Sequence, residues 1–306
     1  MTKVLITGGA GFIGSHIAAS FSGKAEVRIL DNFRTGFRRN LVNPEARVIE
    51  GSILDPDIVA QAVEGVDYVF HLAALVSVPE SVENPDACAA LNVTGLGNVL
   101  EASARAGVRK LCFSSSAAVY GDNPIVPKRE DMLPEPKSPY ASTKLEGERQ
   151  CRIYAANRSL PTVSLRYFNV FGPRQNPAAA YAAAVPIFIE RALADQPITI
   201  YGDGGQTRDF VFVKDVVEAN VFAATHPLGG EFNVGYGGTT TILDIARRIL
   251  AQCGSRSEIR FEPERPGDVR HSCASVDKLL AQGFRPRHSL ETGLSETISS
   301  LRRSSS

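Results

Sequence analysis

The first forty residues constrain the fold more than any other part of the chain. An apolar run from Lys3 to Thr7 leads directly into Gly8-Gly9-Ala10-Gly11-Phe12-Ile13-Gly14, and a helical pattern follows. A second apolar run, Val27 to Leu30, ends at Asp31. Glycines spaced in this way permit a tight turn, close approach of the backbone to a pyrophosphate, and close packing of the helix on the strand. The order of strand, glycine turn, helix, strand and acid predicts a dinucleotide-binding α/β unit.

The residues around Asp31 indicate which dinucleotide binds. An acid at this position accepts hydrogen bonds from the adenosine ribose, and its charge repels a 2′-phosphate. This favours NAD over NADP as the cofactor. Arg34, Arg38 and Arg39 follow closely and keep NADP open as the alternative.

A second motif carries acid–base chemistry. Tyr140 precedes Lys144 by four positions, and on a helix such residues share one face. A free tyrosine has a pKa of about 10, and we expect the Lys144 ammonium to lower that pKa, so that the phenol exchanges a proton with a sugar hydroxyl or ketone. An apolar strand ends in Ser114-Ser115-Ser116, and a hydroxyl at the carboxyl end of a parallel strand faces the ligand crevice. We expect Ser116 to hydrogen-bond the reacting oxygen beside Tyr140.

Four segments together, TGGAGFIG, SSSAAVYG, SPYASTK and RYFNVFGPR, resemble the extended short-chain dehydrogenase/reductase family, in its nucleotide-sugar epimerase branch. The resemblance runs from about residue 2 to about residue 295. It implies a Rossmann-type doubly wound parallel sheet with a smaller α/β substrate-binding domain, NAD as cofactor and a UDP-sugar as substrate. The implied NAD-binding domain is 1–169, to which about 206–226 returns. The implied UDP-sugar-binding domain is 170–205 with about 227–306.

The resemblance also assigns roles to residues at matching positions. The implied catalytic triad is Ser116, Tyr140 and Lys144. The implied cofactor-binding residues are Gly8, Gly11, Phe12, Ile13, Gly14, Asp31, Asn32, Ser52, Ile53, Leu72, Ala73, Ala74, Asn92, Ser114, Tyr140, Lys144 and Tyr167. The implied substrate-binding residues are Val76, Ser116, Tyr140, Asn169, Ala183, Ala184, Val185, Thr199, Tyr201, Arg208, Arg265, Asp268 and Ser272. Ser52 departs from the family pattern, which usually has an aspartate there to contact the adenine.

The reaction class follows from the residues after the strand hydroxyl. Dehydratases of this family use an Asp-Glu pair there, whereas this chain has Ala117 and Ala118, which cannot transfer protons. What remains is redox at one carbon: Tyr140 takes the C4 hydroxyl proton while C4 gives its hydride to NAD, and the 4-keto sugar turns over and takes the hydride back on its other face. The sequence therefore predicts an isomerase, an NAD-dependent UDP-sugar 4-epimerase.

The sugar is indicated by Ser272. This position matches the family residue beside the C2 substituent, where a tyrosine restricts members to glucose and galactose and a small residue admits an acetamido group. Serine favours UDP-GlcNAc and UDP-GalNAc, with UDP-Glc and UDP-Gal also open. The alternatives are a UDP-glucuronate 4-epimerase or decarboxylase and, more remotely, a non-catalytic NAD-binding scaffold on the same fold.

Composition excludes several other classes. The 306 residues include 33 Lys and Arg and 33 Asp and Glu, a formal net charge of zero, so no electrostatic argument favours nucleic acid or an anionic membrane as partner. No apolar run approaches the roughly 20 residues of a membrane span. The 5 cysteines are scattered without a CxxC pair. This predicts reduced thiols, no metal site and a cytoplasmic location.

The resemblance finally implies a homodimer. The predicted helices 84–106 and 138–156 resemble the pair that family members pack into an intersubunit four-helix bundle. The candidate buried positions on these helices are Leu91, Leu96, Leu100, Leu145 and Ile153.

Overall fold

The computed structural model of the chain describes residues 1–177, 183–264 and 269–305, with side chains up to residue 303. The strands are β1 (Lys3–Thr7), β2 (Glu26–Asp31), β3 (Arg47–Glu50), β4 (Tyr68–His71), β5 (Lys110–Ser116), β6 (Thr162–Tyr167), β7 (Asn169–Phe171), β8 (Ile198–Tyr201), β9 (Thr207–Arg208), β10 (Phe210–Phe212), β11 (Gly230–Val234), β12 (Thr240–Thr241) and β13 (Ile259–Glu262). The α-helices are α1 (Phe12–Ser20), α2 (Pro56–Val63), α3 (Val78–Glu83), α4 (Pro85–Ala89), α5 (Gly95–Arg105), α6 (Pro139–Asn157), α7 (Ala184–Leu193), α8 (Val213–Thr225), α9 (Ile242–Cys253), α10 (Asp277–Ala281) and α11 (Leu290–Ser305).

Seven strands form one sheet in the order β11-β6-β5-β4-β1-β2-β3. The pairings from β6 through β3 are all parallel. Val4, Leu5 and Ile6 of β1 are fully buried, as expected for a central strand covered on both faces. The strand order reverses between β1 and β4, and in such sheets ligands bind beyond the carboxyl ends of the strands at this point. The predicted Rossmann-type fold class is confirmed.

The chain divides into two compact units. The first comprises Met1–Gly121, Met132–Tyr167 and Val217–Asn233, and the second Asp122–Asp131, Phe168–Val216 and Val234–Ser306. The segment that returns to the first unit is 217–233, whereas the sequence analysis predicted about 206–226. The reason is that β11, at the end of this segment, joins the seven-stranded sheet beside β6. The short segment Asp122–Asp131, which the sequence analysis placed in the first domain, groups with the second unit because Lys128 bridges to Ala274 there.

The second unit contains three strand pairs, β7 with β10, β8 with β13 and β9 with β12. Asp209, fully buried, fastens its segments together: the carboxylate accepts the backbone N–H groups of Tyr236 (2.7 Å), Gly237 (3.0 Å) and Ala274 (3.0 Å). Burial raises the pKa of Asp209 to about 6, and these three hydrogen bonds oppose the rise.

Of the two helices predicted for a dimer bundle, one is interrupted and the other is continuous. Residues 84–106 form α4 and α5 joined by a π-helical turn, Ala90–Thr94, whereas α6 is continuous. Leu96 and Leu100 are fully buried in the first unit's own core. Ile153 is 38% exposed, so among the candidate positions it is available to a partner.

None of the helices in the described part of the chain has the length and apolarity that crossing a membrane requires.

Candidate active site

The glycine turn after β1 is sterically required. Gly8 has φ of +72°, and a Cβ there would lie 2.7 Å from the Ala73 nitrogen. A Cβ on Gly14 would lie 2.3 Å from the Gly8 carbonyl oxygen, so a side chain would push α1 off the turn. Gly11 caps α1 without a side chain. The first N–H groups of α1, which have no partner within the helix, are therefore accessible to phosphate oxygens.

Asp31 ends β2 with its carboxylate held by two backbone N–H groups. Oδ2 accepts from Ala10 and Oδ1 from Phe33, both at 2.8 Å. A carboxylate has about four acceptor positions, so the fixed group retains capacity for the two ribose hydroxyls. Nearby, the guanidinium groups of Arg34 and Arg38 each pair with a carboxylate, from Glu80 and Glu50 respectively. This arrangement agrees with NAD rather than NADP.

The remaining cofactor candidates of the first unit also follow the carboxyl ends of parallel strands. Ser52 follows β3, and its hydroxyl accepts from the Leu54 N–H at 3.1 Å, so it is engaged with the backbone. Tyr167 ends β6, and its phenol contacts Ser114 Oγ (3.1 Å) and donates to Asn220 Oδ1 (2.9 Å). The others are Phe12 and Ile13 in the first turn of α1, Asn32 after β2, Ile53 after Ser52, and Leu72, Ala73 and Ala74 after β4.

Asn92 has a role that the sequence did not reveal. It lies in the π-helical turn Ala90–Thr94, a rare geometry that often occurs at functional sites. Its amide accepts the Leu75 N–H (2.7 Å) and donates to the Leu75 carbonyl (2.9 Å) and to Thr143 Oγ1 (3.0 Å). Thr143 in turn donates to the Tyr140 carbonyl at 2.8 Å. Asn92 therefore ties the loop after β4 to the first turn of α6.

The three predicted catalytic residues come together at the carboxyl end of β5. Tyr140 lies in the first turn of α6, and the Ser116 hydroxyl lies close enough to its phenol to lower the phenol pKa. Lys144, one turn later, is buried and donates through Nζ to the Ser114 carbonyl at 2.8 Å. Its ammonium lies 5.7 Å from the centre of the Tyr140 ring and 5.1 Å from that of Phe113.

The expected effect of Lys144 on the Tyr140 pKa is wrong for this structure. Burial raises the pKa of the Tyr140 phenol, and the hydrogen bond from Ser116 opposes this rise. The ammonium instead faces a carbonyl group, and burial lowers the pKa of Lys144 to about 8. Desolvation is the largest cause of both pKa shifts, and neither residue is among the groups that shift the pKa of the other.

His71 is a buried polar residue behind the triad. Its ring stacks on Phe113 at 6.1 Å, and Nδ1 lies 2.9 Å from Thr7 Oγ1. Burial, with a smaller contribution from the charge of Lys144, lowers the pKa of His71 to about 3. The imidazole is therefore neutral at physiological pH.

The second unit contains a cavity of about 360 Å³. Seven predicted substrate-binding residues line it: Asn169, Ala183, Ala184, Val185, Thr199, Tyr201 and Arg208. Further lining residues that the sequence analysis missed include Ile187, Phe188 and Arg191 of α7, together with Gln206 and Phe210. Positions 184, 187, 188 and 191 share one helix face, so helical periodicity from Ala184 could have found the α7 residues.

The other predicted substrate residues lie elsewhere or cannot be placed. Ser272 is half-buried, and its N–H donates to the Thr207 carbonyl at 3.1 Å, beside Arg208. Val76, in the first unit, is 61% exposed. Arg265 and Asp268 lie outside the described residues. Within the described part of the chain, no cluster of three or more His, Cys, Asp and Glu side chains could hold a metal ion.

Comparisons with known proteins agree with this geometry. The profile of the NAD dependent epimerase/dehydratase family matches residues 4–235. A UDP-glucose 4-epimerase from Mycolicibacterium smegmatis is 37% identical over 314 residues, covering 99% of each chain. The solved UDP-N-acetylglucosamine 4-epimerase of Methanobrevibacter ruminantium has 37% identity, 99% coverage of both chains and a TM-score of 0.96. The UDP-glucose 4-epimerase of Thermus thermophilus, solved with NAD, has 40% identity, 98% and 99% coverage and a TM-score of 0.91.

Structures with an acidic sugar match as well. A UDP-glucuronic acid 4-epimerase from Bacillus cereus has 32% identity, 99% coverage of both chains and a TM-score of 0.90. The chain belongs to the NAD-dependent epimerase/dehydratase family. The predicted resemblance, NAD as the cofactor and the isomerase class are confirmed.

The neutral His71 generates a prediction about acid stability. Its pKa is about 3 in the folded chain against 6.5 ordinarily, so the unfolded chain binds a proton first as the pH falls. The contribution of His71 to the free energy of unfolding is therefore independent of pH above 6.5, and it decreases as the pH drops from 6.5 toward 3. In His71→Phe, whose ring can still stack on Phe113, melting temperature measured across this range should fall less steeply than in the parent. Parallel curves would contradict the prediction.

Proposed function

We propose that this protein interconverts the C4 epimers of a UDP-hexose with Ser116, Tyr140 and Lys144 as its catalytic residues. The observation that carries the proposal is the convergence of these three side chains at the carboxyl end of β5, in the same unit as the glycine turn and Asp31. NAD, when bound, accepts a hydride from C4 and returns it. The residues of the chain bind the UDP-sugar, orient it and transfer its proton.

The proton steps are assigned to Tyr140. Its phenolate oxygen takes the proton of the C4 hydroxyl as C4 loses its hydride, which leaves a 4-keto sugar. Ser116, whose hydroxyl lies close enough to the phenol to lower its pKa, donates to the same reacting oxygen and orients it. After the ketone presents its other face, hydride returns to C4 and Tyr140 gives the proton back. No net oxidation occurs, so the cofactor is recycled in place.

The cavity of the second unit fits a nucleoside diphosphate. Its described lining contains two arginines, Arg191 and Arg208, and no carboxylate. The N-terminus of α7 opens into it at Ala183 and Ala184, and N–H groups at a helix start favour phosphate oxygens. Guanidinium geometry suits phosphate as well. We assign the diphosphate to this end and the uracil to the strand segment of Thr199 and Tyr201.

The sugar we propose is an N-acetylhexosamine, UDP-GlcNAc with UDP-GalNAc, with UDP-Glc and UDP-Gal as further substrates. The support is the small side chain of Ser272, beside the Thr207–Arg208 strand. The similarity to the Bacillus cereus enzyme supports UDP-glucuronate as the alternative substrate. A panel of pure UDP-sugars, with chromatographic separation of the products, distinguishes the three.

The proton-transfer role is tested with Tyr140→Phe. The change removes the phenolic oxygen but no proposed contact of the glycine turn, so turnover should be lost while NAD stays bound. Loss on the order of 10² or more is expected for an acid–base group. Turnover within about tenfold of the parent would exclude the assigned role, and a parent without turnover on any UDP-sugar would support the non-catalytic scaffold instead.

Lys144→Ala is the companion variant. Lys144 contacts the β5 backbone, and in this proposal it would also contact the nicotinamide ribose. Activity and NAD retention should therefore decrease together in the variant. The measurement is cofactor content of the purified protein alongside turnover. A variant that keeps full NAD occupancy and full rate would contradict the proposal.

The sugar assignment is tested with Ser272→Tyr. A tyrosine should overlap the acetamido group, and overpacking of this kind costs about 1–3 kcal/mol. Turnover of the N-acetylated pair should therefore fall by roughly one to two orders of magnitude, and that of the plain hexose pair much less. Equal losses for both pairs, or a parent that ignores N-acetylated sugars, would count against UDP-GlcNAc.

We further propose a homodimer in which α4, α5 and α6 pack against their copies. Ile153 of α6 is our candidate for the interface, because its side chain is 38% exposed. Light scattering at micromolar concentration should give twice the chain mass, and Ile153→Asp should shift the mass toward a monomer, because it places a charge in an apolar contact. A monomeric parent would refute the dimer.

A further inference from the structure

Helix α6 contacts the end of β5 through three side chains spaced one turn apart. The Tyr140 phenol faces the Ser116 hydroxyl, which lowers the phenol pKa, and Lys144 donates to the Ser114 carbonyl at 2.8 Å. The next residue on the same face is Glu148, whose Oε1 accepts from Ser115 Oγ at 2.5 Å. Each of three consecutive serines is thus held by one turn of the helix. Two of these helix residues belong to the proposed triad, whereas the third has no assigned role.

Glu148 forms a buried ion pair with Arg166. Its side chain is 0% exposed and that of Arg166, on β6, is 3% exposed. The pair is bidentate, with Arg166 Nε donating to Oε1 and Nη2 to Oε2, each at 2.8 Å. Burial lowers the pKa of Arg166, but the hydrogen bonds and charge of Glu148 outweigh it and raise the pKa above its ordinary value.

The network continues on the far side of Arg166. Nη1 donates to the Tyr120 phenol at 2.9 Å, and that phenol donates to Asn233 Oδ1 at 2.7 Å. Tyr120 ends the short helical turn that follows Ser116. The ion pair therefore lies between the strand carrying Ser116, the turn after it and the helix carrying Tyr140. A buried pair of this kind is weak support for stability by itself, since apolar residues of similar volume are often at least as stabilising.

The helix that carries Glu148 packs closely against β5, so the position of the ion pair affects how α6 lies on the strand. A Cβ on Gly147 would lie 2.5 Å from Phe113 Cζ, so α6 lies directly on β5 with no spare space. Among the described residues, the titratable groups near the Lys144 ammonium are Tyr140, Glu148 and Cys151 on its own helix, together with Cys88 of α4 and His71 of β4. Glu148 is the carboxylate of that set, and its charge favours the protonated lysine.

We propose that Glu148, held by Arg166, is a positioning residue of the epimerase, which sets the register of Tyr140 and Lys144 on the serines of β5. This inference rests on the proposed catalytic roles of Ser116, Tyr140 and Lys144. The carboxylate touches neither sugar nor cofactor in this scheme and acts through Ser115 and Lys144.

The test is Glu148→Gln in the NAD-loaded enzyme. Glutamine keeps the shape and the acceptor for Ser115 but places an N–H₂ against Arg166 and removes the charge. A displacement of about 1 Å in reacting groups can cost on the order of 10² in rate, so kcat should fall by about that factor while KM for the UDP-sugar stays nearly constant. The alkaline limb of the kcat profile, which we assign to Lys144, should move to lower pH, because the lost carboxylate no longer raises the lysine pKa.

The matched control is Glu146→Gln on the same helix. Glu146 pairs with Arg149 at the surface, so its loss should change neither kcat nor the pH profile. If Glu148→Gln does not fold, Ser115→Ala decides the question, since it removes the strand contact and leaves the ion pair intact. It should lower kcat without moving the alkaline limb.

Two results would overturn the positioning role. One is a Glu148→Gln enzyme with a lower melting temperature but parental kcat and pH profile, which indicates a purely structural pair. The other is a Ser115→Ala enzyme with parental kcat. Failure of the proposed function is distinguishable, because it appears as an inactive parent or an active Tyr140→Phe variant, whatever the Glu148 variants do.

Discussion

The catalytic side of this molecule depends on the close approach of helix α6 to strand β5. A helix glycine, Gly147, against the ring of Phe113 allows that approach, and any larger residue would separate the two elements. Because side chains four positions apart share a helix face, this contact places Tyr140, Lys144 and Glu148 in turn against three consecutive serines. The hydroxyl, carbonyl and hydroxyl that they meet all belong to the last residues of a buried strand. Rigid elements on both sides hold this arrangement without a loop.

Burial then decides the electrostatics of the site. Desolvation moves the pKa of Tyr140 up, that of Lys144 down to about 8 and that of His71 down to about 3, and no near neighbour fully compensates any of the three. A phenol with a raised pKa stays protonated near neutral pH, so it is not available as a base in the free chain. A cationic nicotinamide bound next to the phenol would favour the phenolate, so the cofactor would supply charge that the protein alone does not. The same logic keeps His71 neutral and confines it to packing and to its hydrogen bond with Thr7.

The substrate half uses a different arrangement. Short strand pairs and helix α7 line a cavity whose charged groups, among the described residues, are two arginines. Asp209 joins the chain to residues 236, 237 and 274 through three backbone N–H groups. The nucleotide recognition that we propose for this unit would use backbone N–H and guanidinium groups, and the proposed sugar preference lies with a separate residue, Ser272. Relatives with similar folds are named for glucose, N-acetylglucosamine or glucuronic acid derivatives, so the fold by itself does not fix the sugar.

The sequence alone determined the parts that depend on local geometry. The glycine turn, Asp31 at the end of β2, the Tyr140–Lys144 pair on one helix face and the serines ending β5 all follow from short-range periodicity and backbone sterics. Only the tertiary structure decided which groups meet across elements: the contact of Asn92 with Leu75 and Thr143, the pairing of Glu148 with Arg166, the return of 217–233 rather than 206–226 to the sheet, and the face of α7 that lines the cavity. The direction of the Tyr140 pKa belongs to this second group. Desolvation is a property of everything packed around a residue, and no spacing along the chain records it.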